Sequence, residues 1–159
     1  RILGDGFRLN TIGFVFFRCF VSTLALGIAQ AALDASIDYA LQRKQFGKPI
    51  AGHQLIQGML AEMVTELEAA RYLVYRALWL LSGGTRCERE AAVAKSFATE
   101  AAQRITSKAI QIHGAFGITR EFPVERHFRN ARLLTIPDGT TQLNQLIIGR
   151  KLTGIAAFS

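Results

Sequence analysis

The chain has 159 residues, half of them apolar, with three prolines and a formal net charge of +7. That length fits one domain, and the composition supports a buried core, so a disordered chain is excluded. Cys19 and Cys87 stand far apart with no Cys-x-x-Cys and no histidine at ligand spacing, so neither a zinc site nor a disulfide framework is indicated. The basic excess admits two kinds of partner. Clustered cations neutralise nucleic-acid phosphates, but here they are scattered, with the densest groups at Arg43, Lys44 and Lys48 and at Arg126, Arg129 and Arg132. Without interleaved aromatics to stack bases, a small phosphate-bearing ligand explains the balance at least as well.

The chain opens at Arg1 with the turn-rich Leu3-Gly4-Asp5-Gly6-Phe7, which reads as a cut through a longer protein. Residues 12–32 imitate a signal peptide, but Arg18 interrupts the apolar run. The charge-free window from Cys19 to Leu33 is shorter than the roughly 20 residues of a membrane span, so a buried helix is expected and no export or membrane signal. A cytoplasmic protein, or one of the mitochondrial matrix if eukaryotic, is the corresponding expectation.

Apolar residues recur every three to four positions between Gly and Pro breaks, which predicts helices throughout. A first helix is expected from about Phe16 to Arg43, stopping at Gly47-Lys48-Pro49. A second runs from about His53 to Leu81, with Ile56, Met59, Leu60, Met63, Leu67, Ala70, Val74, Leu78 and Leu81 on one side. The third, from about Cys87 to His113, aligns Ala94, Phe97, Ala101, Ile105 and Ile112, with Glu88 and Glu90 suiting the positive end of its dipole. A shorter helix starts near Pro123, and a last one follows Gly139 to about Ile155. Long helices joined by short loops lie antiparallel, so the fold class is all-α: an up-and-down four-helix bundle with additional short helices.

Chemistry-bearing residues gather at three helix ends. Arg43-Lys44-Gln45-Phe46-Gly47-Lys48-Pro49-Ile50 reads structurally as a helix stop and functionally as an Arg fork for a pyrophosphate. Gln111-Ile112-His113-Gly114-Ala115-Phe116-Gly117 ends the third helix with small residues that let a backbone or ligand come close. His113 is expected to make a core hydrogen bond, and with His53 and His127 also lacking spaced partners no metal is indicated. Ile136-Pro137-Asp138-Gly139-Thr140-Thr141-Gln142 sets a carboxylate on a turn before the last helix. Asp138 reads either as the N-cap of that helix or as a base aimed at open space.

In this order the motifs resemble the C-terminal domain of the acyl-CoA dehydrogenase family along essentially the whole chain. Arg43, Phe46, Gly47 and Gln54 match its Arg-x-x-Phe-Gly pattern and the following Gln, while Gln111, Gly114, Ala115 and Gly117 match Gln-x-x-Gly-Gly-x-Gly. Its Pro-Val-Glu-Arg-x-x-Arg-Asp-Ala appears at residues 123–131 with Asn130 in the Asp position, and its terminal Glu-Gly-Thr-x-x-x-Gln appears as Asp138-Gly139-Thr140 with Gln142 and Gln145 nearby. The resemblance implies that residues 1–159 are the C-terminal helical bundle of such a flavoprotein, with residues 1–12 the exit from a preceding β-domain. It implies FAD as cofactor, an acyl-CoA thioester as substrate, an electron-transfer flavoprotein as electron acceptor, and a homodimer or homotetramer without membrane attachment.

By the same resemblance, Arg43, Phe46, Gln54, Gln111, Gly114 and Ala115 bind the adenosine-diphosphate part of a neighbouring subunit's FAD. Thr140, Thr141 and Gln142 contact FAD after the catalytic turn, and Arg18 and Gly139 contact substrate. Asp138 is the implied catalytic base: it removes the α-proton while the β-hydrogen leaves as hydride to the flavin, giving α,β-dehydrogenation. An FAD ribityl hydroxyl and the backbone amide of the base hold the enolate oxygen.

Three departures from the family pattern matter. Asp138 replaces the usual Glu and withdraws the carboxylate by one methylene, roughly 1.5 Å, which would suit a slower α-proton abstraction or a γ-proton in a 1,4-elimination. Some relatives carry their base beside the Arg of the first long helix, but Phe17 stands there. Ala115 adds a methyl where the pattern has a second Gly, and Val15 replaces an acid that some members hold near the coenzyme A adenosine. Two rival readings use the same residues. One is a DNA-associated, alkylation-response relative with a basic face; the other is an oligomerisation bundle inactive as an isolated fragment.

Overall fold

The computed structural model describes residues 6–157. Five helices account for most of them: α1 (Gly6–Gln42), α2 (Gln54–Ser82), α3 (Glu88–His113), α4 (Val124–Leu134) and α5 (Thr141–Thr153). Two-residue strands, β1 (Lys44–Gln45) and β2 (Lys48–Pro49), pair antiparallel between α1 and α2. A 3-10 turn, Ile50–Gly52, then leads into α2, and another, Gly114–Ile118, follows α3.

The expected all-α bundle forms around α3, which packs against each of the other four helices. Its suitability as the central helix is compositional. Ala91, Ala92, Ala94, Ala98, Ala101, Ala102 and Ala109 are all buried, and such short side chains let neighbours approach from several sides. Glu88 and Glu90 sit in its first turn and His113 in its last, as the dipole favours. From α2, Met63, Leu67, Ala70, Val74 and Ala77 face the core, close to the expected stripe. Fully burying a Leu or Met of this kind stabilises by about 2 kcal/mol. α4 packs on both α1 and α3, whereas α5 leans on α3.

α1 departs from expectation by starting at Gly6, ten residues before Phe16. Gly13 lies inside it, and a glycine in a helix interior costs only about 1 kcal/mol relative to alanine, which need not end the helix. Its stretch 13–42 is long and apolar enough to cross a membrane by length and composition. One face nevertheless packs on α2, α3 and α4, and buries Arg18, Ser22 and Ser36 beside Cys19, Ala25, Ala29 and Leu33. Buried serines spend their hydroxyls on the preceding turn, Ser22 on the Arg18 carbonyl (2.6 Å) and Ser36 on the Ala32 carbonyl (2.7 Å). Of the residues expected to form a β-domain exit, Gly6 to Ile12 belong to α1 and residues 1–5 lie outside the described part.

Candidate functional site

The end of α1 and the end of α3 open onto a common cleft of about 950 Å³. Arg43, Phe46, Gln54, Gly114 and Ala115 all line it, so five of the six residues expected to bind adenosine diphosphate come together there. Gln111 is exposed at the same helix end but does not line the cleft; its carbonyl accepts the Gly114 N–H that closes α3. Lys48, His53 and Gln45 also line the cleft.

The loop presenting Phe46 is tighter than a helix stop. Gln45 pairs with Lys48 across a two-residue turn in which Phe46 (φ 53°) and Gly47 (φ 79°) are both left-handed. Such turns prefer Asn, Asp or Gly at the first position, and a phenylalanine there carries strain of order 1 kcal/mol. The ring is 92% exposed and stands edge-on to His53 at 5.9 Å, a costly arrangement for stability alone and an apt one for stacking on a planar ligand. At the far wall, Gly114 closes α3 at φ 59°. Gly117 lies so close to α3 that a Cβ would fall 2.4 Å from the Ile110 carbonyl oxygen, which explains the glycine.

His113 behaves as a core residue, as expected. It is 2% exposed, donates from Nδ1 to the Ala109 carbonyl (2.8 Å), and stacks on Tyr39 at 4.3 Å. Burial lowers its pKa, so it is held neutral at neutral pH.

Asp138 lies at the other end of the bundle. Gly139, which follows it, is bonded to Lys95 of α3, and Lys95 precedes Gly114 by about 28 Å of helix. Asp138 is half-buried, adopts φ 56°, and is followed by Gly139 at φ 96°. Its carboxylate forms no hydrogen bond or ion pair with any described residue. The N-cap reading of Asp138 therefore gives way: α5 is capped by Thr140, whose hydroxyl accepts from the Leu143 N–H (3.3 Å). Two consecutive left-handed residues turn Asp138 away from the helix axis and move the cap two positions on.

The neighbouring expected residues divide by burial. Gln142 is exposed beside the turn. Thr141 is buried and donates its hydroxyl to Glu100 Oε1 (2.7 Å). Arg18 is only 7% exposed and lies within electrostatic reach of Asp138 and Glu88, while burial lowers its pKa. Its Nε finds no partner among the described residues. Val15 is 8% exposed and belongs to the core.

Two residues that matter here carry no motif. Lys95 is completely buried, and its Nζ donates to the Gly139 carbonyl at 2.6 Å. Burial pushes its pKa down to about 8, opposed by the nearby Asp138 carboxylate. Asn144, also completely buried, donates from Nδ2 to the Gly139 (2.8 Å) and Thr140 (3.0 Å) carbonyls. In the sequence Lys95 sits in an alanine-rich helix where a lysine reads as a solvent-facing position, and no local spacing links it to Gly139.

Comparison with known proteins gives the same pattern a context. A family model described as "Acyl-CoA dehydrogenase, C-terminal domain" matches residues 4–153. The chain is 45% identical over 151 residues to an acyl-CoA dehydrogenase of Bacillus subtilis (strain 168), covering 95% of this chain and 40% of that protein. Among solved structures, butyryl-CoA dehydrogenase from Megasphaera elsdenii superposes with a TM-score of 0.94 at 40% identity, over 95% of this chain and 39% of that one. A chain from the structure of the electron transferring flavoprotein of Acidaminococcus fermentans does so with a TM-score of 0.94 at 41% identity, over 96% and 40%. The present chain thus spans about two fifths of the length of these relatives. The family model over residues 4–153 and the structural superpositions show that the chain belongs to the acyl-CoA dehydrogenase family and corresponds to its C-terminal domain.

Proposed function

We propose that the protein containing this chain is an FAD-dependent acyl-CoA dehydrogenase in which Asp138 is the base that takes the α-proton. The observation carrying this reading is the Asp138 turn: a carboxylate on a left-handed backbone, without a hydrogen-bond partner among the described residues and anchored from behind by buried donors. Such a carboxylate is free to accept a proton from a ligand above it. Arg18 and Gly139 flank it and form the floor for the thioester. Their positive charge and backbone dipole favour the negative charge that develops on the substrate.

The donor set of the second site suits the adenosine-diphosphate half of FAD. Arg43 forms no ion pair with any described residue and offers a planar fork to a pyrophosphate; Gln54, His53 and the Gly114 backbone add hydrogen-bonding groups. The exposed Phe46 ring gives an aromatic edge or face for the base. Ala115 is exposed, so its methyl adds little crowding. When bound, FAD supplies the two-electron acceptor for the β-hydrogen. This chain's residues hold its phosphates at one end of the bundle and aim a base at the other.

The separation of the two ends bears on assembly. Lys95, bonded to the residue after Asp138, and Gly114 in the cleft are about 28 Å apart along α3, which supports the two ends of one chain serving different FAD molecules in a homodimer or homotetramer. Thr140 and Gln142 reach FAD beside the catalytic turn, and Thr141, whose hydroxyl is engaged by Glu100, does so through its backbone. Gln111 supports the cleft from its rim. An electron-transfer flavoprotein is the fitting electron acceptor, supported by the similarity to the Acidaminococcus fermentans chain, and the cytoplasm or mitochondrial matrix is the fitting location.

Anaerobic titration of the full-length FAD-loaded protein with a panel of acyl-CoA thioesters, butyryl-CoA among them, tests the reading. Bleaching of the oxidised flavin band by at least one thioester is expected. No bleaching, with salt-dependent DNA binding instead, would reject it in favour of a nucleic-acid-associated relative.

A further inference from the structure

We propose that Lys95 and Asn144 act as a buried clamp on the Gly139 carbonyl that fixes the aim of Asp138, which makes Lys95 a positioning residue for proton abstraction. The inference rests on Asp138 being the base and goes beyond that assignment by naming what holds it.

Lys95 is the largest of the fully buried side chains, yet no carboxylate among the described residues lies within ion-pair distance of it. A buried, unpaired ammonium is unfavourable for stability, and an apolar chain of the same length would pack in its place at no such cost. What the ammonium does contribute is one short hydrogen bond, 2.6 Å, to a carbonyl 44 residues away in sequence. That carbonyl belongs to the residue immediately after Asp138.

Asn144 supplies a second donor to the same oxygen at 2.8 Å and bridges to the Thr140 carbonyl at 3.0 Å. Its Oδ1 has no partner among the described residues, so the side chain is committed to donation. Two buried donors converging on one carbonyl fix the plane of the peptide between Gly139 and Thr140. That plane in turn holds the left-handed pair Asp138 (φ 56°) and Gly139 (φ 96°), one of several backbone states open to an Asp-Gly turn. Thr141, bonded to Glu100 Oε1 at 2.7 Å, ties the next residue to α3 as well.

The shorter side chain makes such enforcement more important. Aspartate has one rotatable bond fewer than glutamate, so a misplaced backbone is less easily corrected by the side chain. Arg18 of α1 and Glu100 of α3 complete the charged surroundings of Lys95, and neither replaces its bond to Gly139.

The test uses the full-length FAD-loaded protein, the acyl-CoA that bleaches it fastest, and the variants Lys95→Met, Asn144→Ala and Asp138→Asn. Three quantities are measured: bound FAD per chain, acyl-CoA dissociation constant, and single-turnover bleaching rate per bound FAD. Lys95→Met is expected to keep FAD and substrate affinity while the rate per bound FAD falls about 10²-fold, the loss typical of a reacting group displaced by an ångström. Asn144→Ala, which leaves Lys95 in place, should lower the same rate in the same direction. An unchanged rate per bound FAD in either variant overturns the clamp, and if Lys95→Met does not fold, Asn144→Ala alone decides. Asp138→Asn separates the two levels: bleaching at the unaltered rate there refutes the base itself, whereas its loss beside an unaffected Lys95→Met refutes only the clamp.

Discussion

At the scale of single residues, the buried lysine is the most informative feature. Its pKa is pushed down to about 8 from the usual 10.5, first by burial, with Asp138 and Glu100 pulling it up and Arg18 pushing it further down. The unfolded chain therefore binds this proton more tightly than the folded one between those two values, so stability from Lys95 rises as pH increases through that window. Relative to Lys95→Met, the unmodified protein should gain on the order of 3 kcal/mol at most in unfolding free energy between about pH 7.5 and about pH 10. Urea unfolding of both proteins at the two pH values measures this; a difference that stays flat contradicts it. Residue identities made Asp138 legible as a candidate, because Pro137 and Gly139 mark its turn. They did not reveal Thr140 as the cap or Lys95 as the anchor. The cap depends on two successive positive φ values and the anchor on a contact between α3 and the turn, neither of which has a local sequence signature.

At the scale of elements, α2 and α3 follow closely from periodicity and from their flanking glycines. α1 begins earlier than expected, running through Gly13, whose helix cost of about 1 kcal/mol is too small to end it. The Arg43 segment reads as a helix stop, and only the fold shows that a two-residue hairpin turn there pushes Phe46 into the open. One polar seam joins α2 to α3: Lys108 Nζ reaches Glu62 (3.1 Å) and Glu66 (3.2 Å), and Arg104 Nε reaches Glu66 (2.8 Å). These groups are partly exposed, so the network is modest and screened by salt. Glu66→Gln, which breaks two of the three pairs, should cost about 1 kcal/mol at low ionic strength and less at about 1 M salt. Chemical unfolding at the two ionic strengths checks this, and an equal cost at both would show the seam to be held by packing instead.

At the scale of the whole molecule, the bundle works as a rigid spacer. α3 carries the Gly114 cleft at its C-terminal end and, through Lys95, the Asp138 turn toward its N-terminal part. Both motif groups were legible in the sequence as parts of one resemblance. Their separation to opposite ends was not, since it follows from how far each lies along one helix. The central claim is that each catalytic site joins the Asp138 of one chain to the Arg43 cleft of another. Intersubunit complementation tests it directly: full-length Asp138→Asn and Arg43→Ala proteins are prepared alone and co-expressed as mixed oligomers. Arg43→Ala alone should lose FAD, and Asp138→Asn alone should keep FAD without bleaching. The mixed oligomers contain sites with an intact Asp138 facing an intact Arg43, so acyl-CoA-driven bleaching above that of both parents is the predicted result. Mixed oligomers no more active than their parents would contradict the account.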